Sequence, residues 1–207
     1  MKLKARLFDI FIPHSWLYVR RRGHAKTLYL TFDDGPDKAV TPGLLALLER
    51  FDVKATFFCI GEKIQKNQEL AKEIINKGHT LANHSYYHRE FHQLSVHEQM
   101  AEVLKTNGLI QSISDSSEVP LFRTPNGKWQ LMLLKALVKQ KIPLVLWSLD
   151  SLDYFYKEPE DIYQRFEQHP PVSGDIILFH DDSPLCIKAL ETLIPKWKKM
   201  GFEMKTL

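Results

Sequence analysis

The chain has few cysteines, and it lacks the sequence features that divide many longer proteins into domains. Two cysteines occur in 207 residues. Cys59 falls in an apolar strand pattern and Cys186 in a helical one, so we expect two buried free thiols and no disulfide framework. No Gly/Ser-rich linker or low-complexity stretch interrupts the chain, and its length suits one well-buried core. We therefore expect one domain.

Long hydrophobic runs are also absent: none approaches the ~20 apolar residues that span a bilayer. Residues 1–12 are basic and then apolar, but Asp9 and Pro13 interrupt this pattern and no small-residue cleavage site follows, which makes a poor signal peptide. A cytoplasmic location is therefore expected. We expect residues 1–25 to pack on the core as an N-terminal segment. The alternative is contact with a membrane surface, through its apolar residues and the arginines at 20–22.

Charge of one sign is not in large excess. The formal net charge is +3, with 44% hydrophobic and 26% charged residues, an ordinary composition for a globular protein. No basic surface interleaved with aromatic residues is indicated, so nucleic acid is not expected as a partner. The sequence predicts no oligomeric state.

A doubled carboxylate stands at the end of an apolar strand pattern. Residues 31–36 are Thr-Phe-Asp-Asp-Gly-Pro, so two turn-forming residues follow Asp33 and Asp34 directly. Two adjacent side chains at a strand end cannot both point into the core, and burying two uncompensated carboxylates would be costly. We therefore expect a cationic partner beside them. By itself, an Asp-Asp-Gly-Pro run is more often an ordinary turn.

Two histidines four residues apart, His84 and His88, are the best candidates for that partner. On a helical turn this spacing places both imidazoles on one face, where they can reach the same metal ion. With one carboxylate they would make a three-ligand site for a borderline-soft divalent ion and leave one coordination position for water. An open position is typical of catalysis, although a lone H-x-x-x-H is more often a surface or core pair.

Strand patterns alternate with amphipathic helix patterns along the rest of the chain. The strand patterns occupy residues 26–32, 54–60, 80–82, 121–123, 143–149, 175–180 and 202–206. Such alternation indicates parallel βαβ units. We predict an α/β fold, a distorted or incomplete (β/α) barrel of about seven parallel strands, whose active residues would gather at the C-terminal strand ends.

Several helix ends are marked in the sequence. Thr41 is expected to cap the first helix, and Ser95 with Glu98 to form a capping box. A helix beginning near residue 68 is expected to end at Gly78. Pro195 should kink or restart the last helix.

In this order, the polar motifs resemble those of the polysaccharide deacetylase family, also called carbohydrate esterase family four or the NodB homology domain. The resemblance is carried by residues 31–36 and 84–88, together with Arg-Thr-Pro at 123–125 and Leu-Phe-His at 178–180. It covers residues 26–207 and implies that this stretch is the catalytic domain.

The resemblance implies a role for each matching residue. Asp34, His84 and His88 would hold a divalent metal ion, zinc first, with cobalt or nickel as alternatives. Asp33 would be the general base that activates the attacking water. His180 would be the general acid that protonates the departing amine.

Two further residues would support this pair. Arg123 would tether Asp33, and Asp153 would orient His180 and keep it basic. Asp150 competes with Asp153 for that position, and Asp153 is preferred because it aligns with the family's Asp-Trp pair.

The substrate side of the site departs from the family pattern. Leu178 would line the pocket for the acyl methyl group. Asn126 stands where the family has Tyr, so the backbone N–H that would contact the oxyanion survives while an aromatic wall of the groove is lost. Tyr154 stands where the family has Trp. Both changes bear on the acyl pocket and on sugar preference.

Three other residues are expected to lie outside the chemistry. His79 and His92 are near the histidine pair, but the ligand count is complete without them. Trp147 is expected to belong to the core and not to a sugar platform.

The sequence thus predicts a metal-dependent hydrolase that removes an N-acetyl, or another N-acyl, group from an amino sugar in a glycan or a glycan precursor. One alternative is a deacylase or deformylase of a lipid-linked sugar. The other is a catalytically silent carbohydrate-binding protein on the same scaffold, for which Asn126 and Tyr154 are the arguments.

Overall fold

The structure is a computed structural model that describes residues 17–21 and 26–207. What the sequence predicts for residues 1–16 and 22–25 lies outside the described residues. Among the described residues there are eight short strands and seven α-helices. The strands are β1 Leu17–Tyr18, β2 Thr27–Asp33, β3 Thr56–Cys59, β4 Thr80–Asn83, β5 Leu144–Val145, β6 Leu149–Asp150, β7 Ile176–His180 and β8 Glu203–Met204.

Helices separate most of the strands, although two of them follow β3 and none lies between β5 and β6. They are α1 Thr41–Arg50, α2 Gly61–Lys66, α3 Gln68–Asn76, α4 Val96–Ser114, α5 Leu131–Lys139, α6 Pro159–Gln168 and α7 Leu185–Lys199. Two 3₁₀ turns occupy Phe91–Gln93 and Pro125–Gly127. No helix in the described part of the chain is long and apolar enough to cross a bilayer.

The strands form a parallel sheet that curls toward closure. Its order is β4, β3, β2, β7, β6, with β8 added on β2 and β1 paired with β5. Single bridges at Phe122 join β4 to β5, because Phe122 pairs with both Asn83 and Leu144. The predicted α/β fold with a distorted barrel is confirmed, and the register places Asp33 level with His180.

Successive side chains of β2 point alternately to the hydrophobic core and to the opposite face of the sheet. Leu28, Leu30 and Phe32 are fully buried in the main hydrophobic cluster, where the Phe32 ring lies 5.1 Å from Phe57 and 6.0 Å from Phe179. Fully burying such a side chain contributes about 1.5–3 kcal/mol. Because side chains alternate along a strand, the intervening residues of β2, Asp33 among them, face the other side of the sheet.

Two of the predicted strands differ from the structure. The stretch at residues 121–123 is reduced to the bridges at Phe122, and residues 143–149 divide into β5 and β6. The division has a specific cause. The Arg123 guanidinium donates to the carbonyls of Val145 (3.3 Å) and Leu146 (3.1 Å), so a side chain and not a neighbouring strand takes these acceptors.

Helix ends were predicted with mixed success. The capping box of Ser95 and Glu98 is confirmed, and α3 ends just before Gly78, whose φ is +78°. The prediction that Thr41 caps α1 is wrong, because Val40 occupies the N-cap position without a side-chain hydrogen bond. The Thr41 hydroxyl instead donates to the Asp181 carboxyl group (2.7 Å). Helix α7 continues through Pro195 as one element, so of the two alternatives, a kink or a restart, the restart does not occur.

The described part of the N-terminal segment contacts the barrel. Strand β1 runs parallel to β5, and Leu17 and Val19 are buried in a second hydrophobic cluster with Phe122 and Leu144. Both cysteines are buried and free, as expected.

Candidate metal centre and active site

The carboxyl end of β2 carries two aspartates that face the same cavity. Asp33 is the last residue of the strand and is buried, while Asp34 adopts a left-handed backbone conformation with φ of +72°. This turn carries the second side chain to the cavity side. Adjacent residues of a regular strand would point to opposite faces, so the pairing depends on the backbone at Asp34.

The cationic partner of Asp33 is Arg123, and not the histidine pair that was the first candidate from the sequence. Its Nη1 donates to Asp33 Oδ1 (2.7 Å) and to Thr31 Oγ1 (2.8 Å), and the guanidinium is fully buried. Burial raises the pKa of Asp33 above its ordinary value, and the Arg123 charge opposes that rise without cancelling it. A carboxyl held in this way has one oxygen fixed by the guanidinium and the other directed toward His84, with 3.7 Å between Oδ2 and Nε2.

Three side chains converge beside Asp33 with the geometry of a metal site. One ligand atom from each of Asp34, His84 and His88 lies within 4.8 Å of the others. Asp34 Oδ1 is 3.6 Å from His84 Nε2 and 3.2 Å from His88 Nε2. That oxygen is buried and accepts no hydrogen bond from the described residues, which is a costly state unless a cation is bound.

The protonation of His84 suits a ligand. Its Nδ1–H donates to the Arg123 carbonyl at 2.9 Å, which leaves the Nε2 lone pair directed at Asp34. Burial lowers the pKa of His84 to about 3, so the ring is neutral at physiological pH. Two imidazoles and a carboxylate form a donor set that fits zinc and related divalent ions.

The histidine pair is not on a helix. Residues 84–88 form a loop after β4, in which Ser85 and His88 have φ of +63° and +53°. The rings nevertheless come together, with 5.0 Å between their centroids. The expected convergence is therefore achieved by backbone turns that the i, i+4 argument did not include.

Across the cavity, the end of β7 carries His180. Its Nδ1 lies 2.7 Å from Asp153 Oδ1, and its backbone N–H donates to Asp153 Oδ2, also at 2.7 Å. Burial alone would lower the pKa of His180, but the hydrogen bond and charge of Asp153, with the charges of Asp33 and Asp34, raise it to about 9. The competing Asp150 accepts from the Leu152 N–H instead.

The cavity between these groups has a volume of about 300 Å³. Twelve residues line it: Asp33, Asp34, His84, His88, Asn126, Gly127, Trp147, Asp150, Tyr154, Leu178, His180 and Asp182. Leu178 forms a buried apolar part of the wall. Tyr154 is 62% exposed at the rim, with its ring centroid 5.2 Å from that of His180.

The turn at Asn126 lies in the cavity wall. Asn126 has φ of +56°, a conformation that Asn tolerates better than most residues. The hydrogen bonds of the turn are made by the Gly127 and Lys128 N–H groups, which leaves the Asn126 N–H outside them. The Asn126 side chain reaches out toward Glu90, at 3.4 Å.

Trp147 packs against a hydrophobic cluster, as expected, and it also forms part of the cavity wall. Its ring occupies the space that a side chain at residue 127 would need: a Cβ on Gly127 would come within 2.5 Å of Trp147 Cη2. No local pattern predicts this contact, because it joins residues twenty positions apart.

Asp182 is a lining residue that sequence reasoning missed. It follows His180 by two positions at a strand end, and that placement alone could have marked it. The two outlying histidines do not join the ligand cluster. His79 Nδ1 accepts from the Ala55 N–H at 3.2 Å, and His92 lies beside Glu90.

Comparison with known proteins places this arrangement in a family. Residues 20–145 match the sequence profile described as Polysaccharide deacetylase. The chain is 31% identical to the peptidoglycan-N-acetylglucosamine deacetylase PgdA of Listeria monocytogenes, a match covering all of this chain and 45% of the relative. It therefore spans less than half of that protein. It is also 31% identical to a chitooligosaccharide deacetylase of Bradyrhizobium, over 95% of this chain and 97% of the relative.

Solved structures agree with the sequence relatives. The Bc1960 peptidoglycan N-acetylglucosamine deacetylase superimposes with a TM-score of 0.86 at 29% identity, covering 93% of this chain and 91% of that one. BA3943 of Bacillus anthracis, described as a CE4 family pseudoenzyme, superimposes with a TM-score of 0.84 at 29% identity, covering 92% and 67%. On the matched profile, the relatives and the shared fold, the chain belongs to the polysaccharide deacetylase family.

Proposed function

We propose that this chain is a metal-dependent hydrolase that removes the N-acetyl group from an amino sugar, such as N-acetylglucosamine in a glycan. One observation carries the proposal. The ligand atoms of Asp34, His84 and His88 converge in one cavity that is also lined by Asp33 and His180. Zinc is the proposed ion, with cobalt or nickel as alternatives.

The chemistry requires a base and an acid at separate positions. A divalent ion held by Asp34 and the histidines would act as a Lewis acid on the amide carbonyl and lower the pKa of water. Asp33 would take a proton from the attacking water, because Arg123 fixes one of its oxygens and the raised pKa makes the carboxylate a better base.

His180 would provide the acid. An amide nitrogen leaves only if it is protonated, and a ring whose pKa is about 9 carries that proton at neutral pH. The bond to Asp153 fixes which nitrogen faces the cavity, because Nδ1 is engaged and Nε2 is left for the substrate. The free N–H of Asn126 would donate to the developing oxyanion.

The walls of the cavity suit a small acyl group. Leu178 and the Trp147 ring supply apolar surface for a methyl group, and Tyr154 stands at the open rim where the sugar would lie. The substrate class is proposed from the relatives, which are named for peptidoglycan N-acetylglucosamine and for chitooligosaccharide.

The test is product analysis with peptidoglycan fragments and chito-oligosaccharides. We expect each turnover to release one acetate and one free amine, and expect chelation to abolish this activity and zinc to restore it. Asp33→Asn should lose about 10²–10⁴-fold in rate, the typical contribution of a positioned base, while still binding zinc. Acetate release by Asp33→Asn at the wild-type rate would contradict the mechanism.

A silent carbohydrate-binding protein is the second candidate, because one structural neighbour is described as a pseudoenzyme. Asn126 and Tyr154, which depart from the family pattern, favour it. Binding of chito-oligosaccharide without any zinc-dependent acetate release would support this candidate. The lipid-linked sugar alternative rests on residues 1–25, most of which lie outside the described residues, and stays a prediction together with the cytoplasmic location.

A further inference from the structure

A buried glutamate on α4 contacts the loop that carries the second histidine. Glu102 is 4% exposed. Its Oε2 accepts from the backbone N–H groups of Tyr86 and Tyr87, both at 3.1 Å. Its Oε1 accepts from Arg89, at 2.7 Å from Nε and 2.6 Å from Nη2. The four bonds reach the chain on both sides of His88.

The two candidate histidine ligands are held in different ways. His84 is fixed directly, because its ring donates to the Arg123 carbonyl and its backbone N–H donates to the Cys59 carbonyl, both at 2.9 Å. Within the described residues, His88 has two polar contacts, from its N–H to Ser85 Oγ (3.1 Å) and from Nε2 to Asp34 (3.2 Å). The His88 ring therefore depends on its backbone for its position.

That backbone needs support. His88 has φ of +53°, a region that side-chain-bearing residues adopt only when their surroundings impose it. The carbonyls of Ser85 and Tyr86 are fixed by the N–H groups of Gly61 and Glu62, each at 2.9 Å. Glu102 supplies the matching acceptors for the loop's own N–H groups.

We propose that Glu102 is a positioning residue that keeps His88 in place to bind the metal ion. The inference rests on the proposed metal-dependent function, and it adds a residue from a helix that contributes nothing to the cavity lining. A carboxylate suits the task because it can accept all four donors at once.

The measurement is zinc affinity, by competition with a chelator, on folded wild-type protein and variants. Partners that orient metal ligands typically change affinity 10–100-fold when removed. We expect Glu102→Ala to weaken zinc binding by about 100-fold. We expect Glu102→Gln to weaken it by about 10-fold, because its amide offers one acceptor oxygen and adds two donors. Cobalt-loaded variants should show altered visible spectra.

Gln99→Leu is the matched control. Gln99 lies one turn earlier on α4 and is equally buried. Its side-chain amide donates to the Phe91 carbonyl, which lies outside residues 84–88, the ligand loop that carries both histidines. Loss of this hydrogen bond should lower thermal stability and leave the zinc dissociation constant unchanged.

The outcomes separate the inference from the function on which it rests. Wild-type zinc affinity in both Glu102 variants would overturn the positioning role, even if both melt at lower temperature. Failure of the wild type to bind zinc, cobalt or nickel would overturn the proposed function itself. If Glu102→Ala does not fold, Glu102→Gln, which conserves volume, decides the question by its affinity and cobalt spectrum.

Discussion

His180 is a largely buried histidine whose pKa is raised mainly by the neighbouring Asp153, with smaller contributions from Asp33 and Asp34. Burial favours the neutral ring, yet Asp153 contacts both the ring and the backbone N–H of the same residue and reverses that preference. Asp153 is itself almost fully buried, so its charge is poorly screened by solvent. The acid form of His180 is therefore expected to persist well above neutral pH.

This pair predicts the alkaline limb of the pH profile. His180 is protonated below its pKa of about 9, so kcat/KM should fall as the pH rises through that value. Asp153→Asn removes the charge that raises the pKa, and the limb should move at least about one pH unit lower. The measurement is kcat/KM between pH 5 and pH 10. Asp150→Asn is the comparison: Asp150 acts on His180 through charge but accepts from the Leu152 N–H and makes no hydrogen bond to the ring, so the limb should move less than in Asp153→Asn. An unmoved limb in Asp153→Asn would show that another group sets it.

At the residue scale, the sequence predicted identities better than orientations. The cost of burying Asp33 required a cation, and Arg123 supplies it, whereas His84, one of the first candidates, is neutral. The direction of Asp34 could not be predicted, because it depends on a single φ angle of +72°. The cavity position of Trp147 was not predicted, because it follows from packing between distant segments, and Asp182 was missed although it stands only two positions after His180.

At the scale of elements, the Arg123 side chain donates to backbone carbonyls that a neighbouring strand could otherwise use. Its guanidinium contacts a side chain of β2 and takes the carbonyls of Val145 and Leu146, where a regular barrel would place a neighbouring backbone. Periodicity predicts where a strand is favoured. It cannot predict that an arginine from another segment will compete for the strand's acceptors.

Arg123→Met should therefore destabilise the barrel. It leaves Asp33 buried without its partner, a change that typically costs about 3–5 kcal/mol. Adding Asp33→Asn removes the buried charge, so the double variant should regain part of that loss. Urea denaturation of the four proteins measures the coupling. Additive losses would indicate that the carbonyl contacts, and not the ion pair, carry the stabilisation.

The ligand loop shows the same limit of local reasoning. The spacing of His84 and His88 correctly suggested that the rings approach each other, but for a helical reason that does not apply. By contrast, the capping box of α4 was predictable because all of its bonds are local. Elements defined by neighbours in sequence were predicted well unless a distant group competed for them, as Asp181 does for the Thr41 hydroxyl, and those defined by distant contacts were not.

On the scale of the whole molecule, the alternation of strands and helices was enough to predict the fold. Parallel βαβ units bring the C-terminal strand ends to one edge, so residues from β2, β4 and β7 meet although they are far apart in sequence. Near closure of the barrel was harder to predict, because it depends on β1 and on the single bridges at Phe122. The boundary at residue 25 between an N-terminal segment and the catalytic domain stays a prediction.

A metal ion bound at the site would connect distant parts of the barrel. Asp34 follows β2, and His84 and His88 follow β4, with β3 between the two strands. An ion that binds only the folded state stabilises it by about 2.7 kcal/mol at a free concentration 100 times its dissociation constant. For a domain of this size, each kcal/mol raises the melting temperature by roughly 2–4 °C.

Zinc should therefore raise the melting temperature of the wild type, and a chelator should reverse the shift. His88→Ala should abolish the shift, because it removes a ligand from the site. His79→Ala is the matched control: it removes another histidine whose ring is neutral, with a pKa of about 4, and whose nitrogen bonds only the Ala55 N–H within the described residues. It should melt earlier than the wild type while keeping the full zinc-dependent shift. If His88→Ala kept that shift and His79→Ala lost it, zinc would bind near α3, and the cavity at the strand ends would not be its site.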